Sequence, residues 1–226
     1  MKKHKELIKK CAKLSNDTYN EINNYNEKLE DKYTDTIIYF ILEDSTLFIT
    51  GPGSESYRDW SLDFQIWRTK VEYFENTLVH AGFMKIYNSV RSRLLCLMKV
   101  LLETNEINKI VCTGHSLFGA ISTIIATDLS IQFDLPVICI TFGSPRVGNN
   151  EFAELFNNNV QLSYRCVFKK DPITFTPLPI RFKHVRGLLN CDFKTIKESE
   201  IPQNYDCLGC RIKHHSMEFY KGSIQS

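Results

Sequence analysis

The sequence predicts an α/β fold: a mainly parallel central sheet with helices on both of its faces. Two observations lead there. Apolar, strand-length runs at 109–113, 137–142 and 162–168 are separated by stretches of helical character, and strands alternating with helices build parallel sheets covered by helices. The chain has 226 residues, 43% of them hydrophobic and 24% charged, enough to bury the core such a sheet requires. Neither repeats nor a linker interrupt it, so residues 1–226 are read as one domain.

The elements follow in order. Leu7, Ile8, Cys11, Leu14, Ile22 and Tyr25 recur at roughly helical spacing with lysines between them. They predict an N-terminal helix at about 3–30, packed on the domain; lysines also flank interfacial helices, which leaves a membrane-surface role open. Residues 36–42 and 46–50 read as two strands joined by the tight polar turn Glu43-Asp44-Ser45, a hairpin. Gly51-Pro52-Gly53-Ser54 breaks the second strand, and a short amphipathic segment, Tyr57 to Phe64, follows. A long helix is expected from Phe83 to Leu102, with Ile86, Val90, Leu94, Leu95, Met98 and Leu101 on its apolar side. Then come strand 109–113, a helix from 118, strand 137–142, a short helix from 149 and strand 162–168. Beyond Arg181 the chain reads as irregular until a final helix near Ser216–Tyr220.

Composition excludes several functions. A net charge of +2 supplies no electrostatic reason to bind nucleic acid. The basic start Met1-Lys2-Lys3-His4-Lys5-Glu6 meets Lys9-Lys10 after only Leu7-Ile8, unlike a secretory signal. No run approaches the roughly 18 apolar residues of a spanning helix. These features lead to the expectation of a cytoplasmic protein without a transmembrane segment, open to peripheral contact with membranes. Eight cysteines are then expected to be mostly reduced. Cys207-Leu208-Gly209-Cys210 is a lone CxxC; Cys191, His214 and His215 lie near it, but the spacing fits no standard zinc finger. No metal and no cofactor are expected. Oligomeric state is left open.

The chemistry concentrates at strand ends, where open parallel sheets place their working residues. Strand 109–113 runs into Gly114-His115-Ser116-Leu117-Phe118-Gly119-Ala120 and then a helix. That is the layout of a nucleophile elbow, whose turn pushes a serine hydroxyl above the sheet. Asp171 follows strand 162–168, and His215 precedes the last helix. Serine, acid, histidine is the chain order of an α/β-hydrolase triad. The serine needs a base to take its proton, and the base needs a carboxylate to fix its tautomer. His115, adjacent to Ser116 on a strand, is expected to face away from the pocket.

Further motifs accompany the elbow. They are Val79-His80-Ala81-Gly82-Phe83, Thr141-Phe142-Gly143-Ser144-Pro145-Arg146-Val147-Gly148-Asn149, Lys170-Asp171-Pro172-Ile173 and His215-Ser216-Met217-Glu218-Phe219-Tyr220. In this order the chain resembles the class 3 lipases, a family that includes fungal triacylglycerol lipases. The resemblance implies an α/β-hydrolase fold and a serine hydrolase that cleaves carboxylic esters of lipids, with Ser116, Asp171 and His215 as triad. It selects His215 over His214 as base. It implies an oxyanion hole from the Leu117 N–H, which elbow geometry also indicates, and from Ser54. It implies a lid and substrate-binding wall containing Tyr57, Trp60 and Phe64, and a lipid ester met at a lipid–water interface; Phe118, at the altered rim of the elbow, is expected to line the acyl pocket. Two departures stand out. Phe118 occupies the place of the second elbow glycine, and Gly51-Pro52 replaces the family's aromatic–arginine pair. They favour one alternative, a non-catalytic lipase-like binding or signalling protein; a second alternative is an esterase or phospholipase acting on another acyl ester.

Overall fold

The computed structural model describes residues 2–20, 22–53, 67–168, 171–191 and 215–225. Its strands are β1 (Glu27–Asp31), β2 (Thr36–Glu43), β3 (Thr46–Thr50), β4 (Arg68–Lys70), β5 (Leu78–His80), β6 (Lys109–His115), β7 (Val137–Phe142), β8 (Leu162–Val167) and β9 (Leu188–Asn190). Its helices are α1 (Lys2–Asp17), α2 (Ala81–Thr104), α3 (Ser116–Gln132), α4 (Asn150–Asn159) and α5 (Met217–Gln225). The main sheet runs β1-β2-β3-β6-β7-β8-β9, with β4 and β5 paired separately. β1, β2 and β3 are antiparallel neighbours, and every pairing from β3 to β9 is parallel.

A parallel sheet covered on both faces needs apolar residues on both, and β7 shows how they divide. Val137 and Cys139 join the core beneath α2, α3 and α4. Ile138, Ile140 and Phe142 join the core beneath α1 and α5. Cys112 and Cys139 are register partners, and burial pushes the Cys139 thiol up to about 12. Cys11, Cys96, Cys112, Cys139 and Cys166 are free thiols; Cys207 and Cys210 lie outside the described residues. The β2–β3 hairpin closes on Asp44 and Ser45, at φ +45° and +55°, the left-handed pair that a two-residue turn requires.

On α2 the buried residues Phe83, Ile86, Tyr87, Val90, Leu94, Met98 and Leu101 form one stripe, as the spacing predicts. α3 is buried almost throughout from Ser116 to Leu129, so its one acid, Asp128, needs partners. Tyr87 Oη donates to Asp128 Oδ2 at 2.7 Å, and Arg91 engages both carboxylate oxygens at 2.5 and 3.2 Å. The Arg91 guanidinium also lies 3.6 Å above the centre of the Tyr73 ring.

The helix expected over 3–30 closes at Asp17. Asn16, Asp17, Asn20, Asn23, Asn24 and Asn26 crowd this stretch, and such side chains compete for the backbone and favour turns over helix interiors. Asn26 starts β1 instead: its Oδ1 accepts from Leu42 N at 2.6 Å, and its N–H donates to Phe40 O at 2.9 Å. Ile8, Cys11, Ala12 and Leu14 of α1 are buried in one core with Met217, Tyr220 and Ile224 of α5. The apolar side of α1 is therefore spent on the protein itself. No helix among the described residues is long and apolar enough to cross a membrane.

Candidate active site

Ser116 stands where β6 ends and α3 begins, with φ at +56°. For a non-glycine residue that backbone costs about 1–2 kcal/mol, and it turns the hydroxyl out of both the strand and the helix. Crowding at the turn explains its small residues: a Cβ on Gly114 would lie 2.6 Å from Phe118 Cδ1, and one on Gly119 would lie 3.0 Å from Ser144 Cβ.

Three residues far apart in sequence meet here. His215 Nε2 lies 2.7 Å from Ser116 Oγ, and His215 Nδ1 lies 2.8 Å from Asp171 Oδ2. Asp171 is wholly buried, Ser116 and His215 nearly so. Asp171 follows β8, and its Oδ1 accepts from Ile173 N at 2.8 Å. The ring of His215 is thus held with Nδ1 towards the carboxylate and Nε2 towards the serine, the orientation that lets Nε2 accept the Oγ proton.

Several supporting residues had no role assigned from sequence. Tyr220, on α5, donates to Asp171 Oδ2 at 2.6 Å and accepts from Phe168 N at 3.1 Å. Burial, then the Asp171 carboxylate, raise its pKa well above the ordinary tyrosine value, so it remains a donor. Gly143 ends β7 at φ +57°, and a Cβ there would lie 2.7 Å from Asp171 Oδ2 and 3.1 Å from His215 Nδ1. Arg146 ties the segment after β7 to the one after Asp171: its Nη1 donates to Phe175 O and, at 3.0 Å, to Pro177 O. The tyrosine, glycine and arginine all lie inside the motifs quoted above; their spacing alone carries no sign of whom they touch.

His115 departs from expectation. It does not face away but lies against His215, the two rings 4.5 Å apart at 33°, with Nδ1 2.8 Å from the hydroxyl of Tyr19. Strand alternation stops being a guide where Ser116 enters the left-handed region, and the start of α5 brings His215 onto the same face of the sheet. Burial, and secondarily the charge of His215, hold His115 well below the ordinary histidine pKa. It is neutral at neutral pH.

Leu117 is in the first turn of α3, where backbone N–H groups lack helical acceptors; His115, at the N-cap, makes no side-chain capping bond. The loop after β3 runs directly over the elbow, since a Cβ on Gly53 would lie 3.4 Å from Ser116 Cβ. Ser54, Tyr57, Trp60 and Phe64 lie outside the described residues, as does His214. Phe118, expected to line the acyl pocket, is 2% exposed and packs into the core. Its ring fills the space beside Gly51 and Gly114, which have no side chains to occupy it. Among the described residues no group of three His, Cys, Asp or Glu is arranged to hold a metal ion.

A buried acid–histidine–serine relay on a strained elbow, beside a helix N-terminus, is equipped for acyl transfer: a nucleophile, a base, a group that orients the base, and donors for an oxyanion. The family model for lipase (class 3) matches residues 48–180. The secreted mono- and diacylglycerol lipase 1 of Fusarium solani is 33% identical over 139 residues, 60% of this chain and 40% of that protein. The secreted mono- and diacylglycerol lipase A of Penicillium cyclopium is 29% identical over 147 residues, 64% of this chain and 48% of that protein. The chain thus spans less than half the length of these curated relatives. A solved triacylglycerol lipase, described as having a serine protease triad as its catalytic centre, superposes with a TM-score of 0.75. It covers 96% of this chain and 92% of its own at 22% identity, a likeness of fold. The cytoplasmic expectation is corrected by the two curated relatives, both named as secreted; a charged start with no long apolar run was too slight a basis for it. The fold is that of the α/β-hydrolases, and with more than half of its length matched by the family model, the chain belongs to the class 3 lipase family.

Proposed function

We propose that the protein is a serine hydrolase that cleaves carboxylic esters of lipids through an acyl-enzyme. The observation that carries this reading is the continuous relay from Ser116 Oγ through His215 to the buried Asp171, with distances of 2.7 and 2.8 Å. As Ser116 Oγ adds to the ester carbonyl carbon, its proton passes to His215 Nε2. Asp171 accepts the Nδ1–H and stabilises the imidazolium. The carbonyl oxygen, now an oxyanion, is held by the Leu117 N–H and by a second donor from the loop after β3, assigned to Ser54. Collapse breaks the bond to the alcohol oxygen, and that alcohol leaves with the proton from His215. Water then attacks the acyl carbon with His215 again as base. Free acid departs, and Ser116 regains its proton.

Relatives named mono- and diacylglycerol lipases support a glyceride as substrate. The lid assigned to Tyr57, Trp60 and Phe64 belongs to the same proposal, as does action at a lipid–water interface. The packing of Phe118 beside Gly51 and Gly114, with Ser116 still in reach of His215, supports the catalytic reading over the non-catalytic one. The test is acid release from emulsified diacylglycerol in a pH-stat, with His215→Ala as control. Release by the wild type alone, rising as the ester passes from dissolved to aggregated, is the expected result. Equal, negligible release by both proteins overturns the proposal.

A further inference from the structure

The elbow helix and the loop after β3 have to stay at a fixed separation if the donor carried by that loop is to meet an oxyanion formed at Ser116. Phe118 lies between them. One edge of its ring abuts Gly51: a Cβ built there would overlap Phe118 Cε2 and lie 2.7 Å from Cζ. Its other edge abuts β6, because a Cβ on Gly114 would lie 2.6 Å from Cδ1. The ring is 2% exposed and packs in the core beneath the helices. From Gly51 the chain passes through Pro52, whose ring fixes φ, to Gly53, which rests against the elbow at Ser116 and the His115 carbonyl. That span is three residues long, and at its first residue the side chain supporting it from the elbow helix is Phe118.

We propose that Phe118 is a positioning residue, a strut that sets the height of the Gly51–Gly53 loop above Ser116 and thereby tunes stabilisation of the oxyanion. The inference rests on the ester-hydrolase reading, and its consequence is specific. Shortening the side chain opens a cavity beneath the loop, which settles towards it, and misplacing a donor by about 1 Å lowers turnover by about 100-fold. Substrate binding, which does not involve the ring, is unaffected.

The experiment is a series of Phe118→Leu, Phe118→Ala and Phe118→Gly, assayed on a short-chain ester well below each variant's Tm. A trifluoromethyl ketone that forms a tetrahedral adduct on the serine is bound in parallel. The expected result is a kcat that falls with lost volume, a few-fold for Leu and about 100-fold for Ala and Gly. KM stays within about twofold, and ketone affinity declines in step with kcat/KM. A merely structural role lowers Tm but leaves kcat and ketone affinity of the folded enzyme unchanged, which overturns the proposal. So does an effect confined to KM or chain-length preference, which would put the ring in the acyl pocket. Should Phe118→Gly or Phe118→Ala fail to fold, Phe118→Leu decides, because Leu retains most of the volume. A wild type that neither hydrolyses ester nor binds the ketone overturns the ester-hydrolase reading and the strut with it. An active wild type with variants of unchanged kcat overturns the strut alone.

Discussion

Replacing Gly143 by alanine adds one methyl group and tests whether the acid and base depend on the backbone that passes beside them. That methyl would lie 2.7 Å from Asp171 Oδ2 and 3.1 Å from both Nδ1 and Cε1 of His215. Ordinary carbon–oxygen contact begins at about 3.4 Å, so the carboxylate, the imidazole or the strand end has to retreat by about half an ångström or more. The hydrogen bond that spans them is 2.8 Å, and Tyr220 and Ile173 fix the carboxylate on its other sides, so this bond is the one to lengthen. Uncoupling the acid of such a triad lowers kcat by up to about 10⁴-fold; a partial retreat is expected to lower it by about 10²–10³-fold, or about 3–4 kcal/mol at 1.36 per tenfold. The left-handed backbone at φ +57° adds about 1–2 kcal/mol of strain for alanine. In a chain of this size that lowers Tm by roughly 2–8 °C. Turnover of a short-chain ester and the thermal midpoint are read on the same preparation. A Gly143→Ala protein with kcat within threefold of wild type would refute the claim that this glycine keeps space for the relay.

Other outcomes follow from the same geometry. Tyr220→Phe leaves Asp171 Oδ2 with one donor fewer and strands Phe168 N; a loss of about 1–3 kcal/mol in urea unfolding is expected, with kcat reduced and KM unchanged. Arg91→Ala exposes the buried Asp128 charge and is expected to cost about 2–3 kcal/mol. That is below the about 3–5 kcal/mol of a fully buried pair, because Tyr87 still donates to the carboxylate; activity at low temperature should not change. His115 gives a pH signature. Its native pKa is depressed, so below about pH 6.5 the unfolded chain binds a proton that the native state refuses, and stability is lost as pH falls through that range. Between pH 7 and 5.5 the urea midpoint of wild type should fall, and that of His115→Gln should fall by less.

The elbow was legible in the sequence because local physics writes it there: an apolar strand, a small-residue turn, a serine and a helix, all within a dozen residues. Asp171 and His215 were legible through their place at strand and helix ends and their order in the chain. What was not legible depends on contacts across the fold. Tyr220 and Gly143 sit inside readable motifs, yet their partner Asp171 reaches them only through tertiary packing. Strand alternation does not place His115 relative to Ser116, because the backbone leaves the strand between them. β1 was missed because Glu27-Lys28-Leu29-Glu30-Asp31 buries only Leu29; a charged edge strand shows no apolar alternation and gains by being charged, since that discourages pairing with other chains. Apolar spacing continues past Asp17, but the asparagines at 16, 20, 23, 24 and 26 end the helix there. Phe118 looked like damage to the elbow because the glycine that makes room for its ring, Gly51, is 67 positions away, in the loop after β3.

The central claim is that Ser116 is a nucleophile activated by His215. A fluorophosphonate that transfers its phosphonyl group to an activated serine tests it, with the adduct located by peptide mass spectrometry in wild type, Ser116→Ala and His215→Ala. Stoichiometric labelling of Ser116 is expected in the wild type, none in Ser116→Ala, and labelling slowed by at least about 100-fold in His215→Ala. An adduct on any other serine, or an unreactive Ser116 in folded wild-type protein, would contradict it.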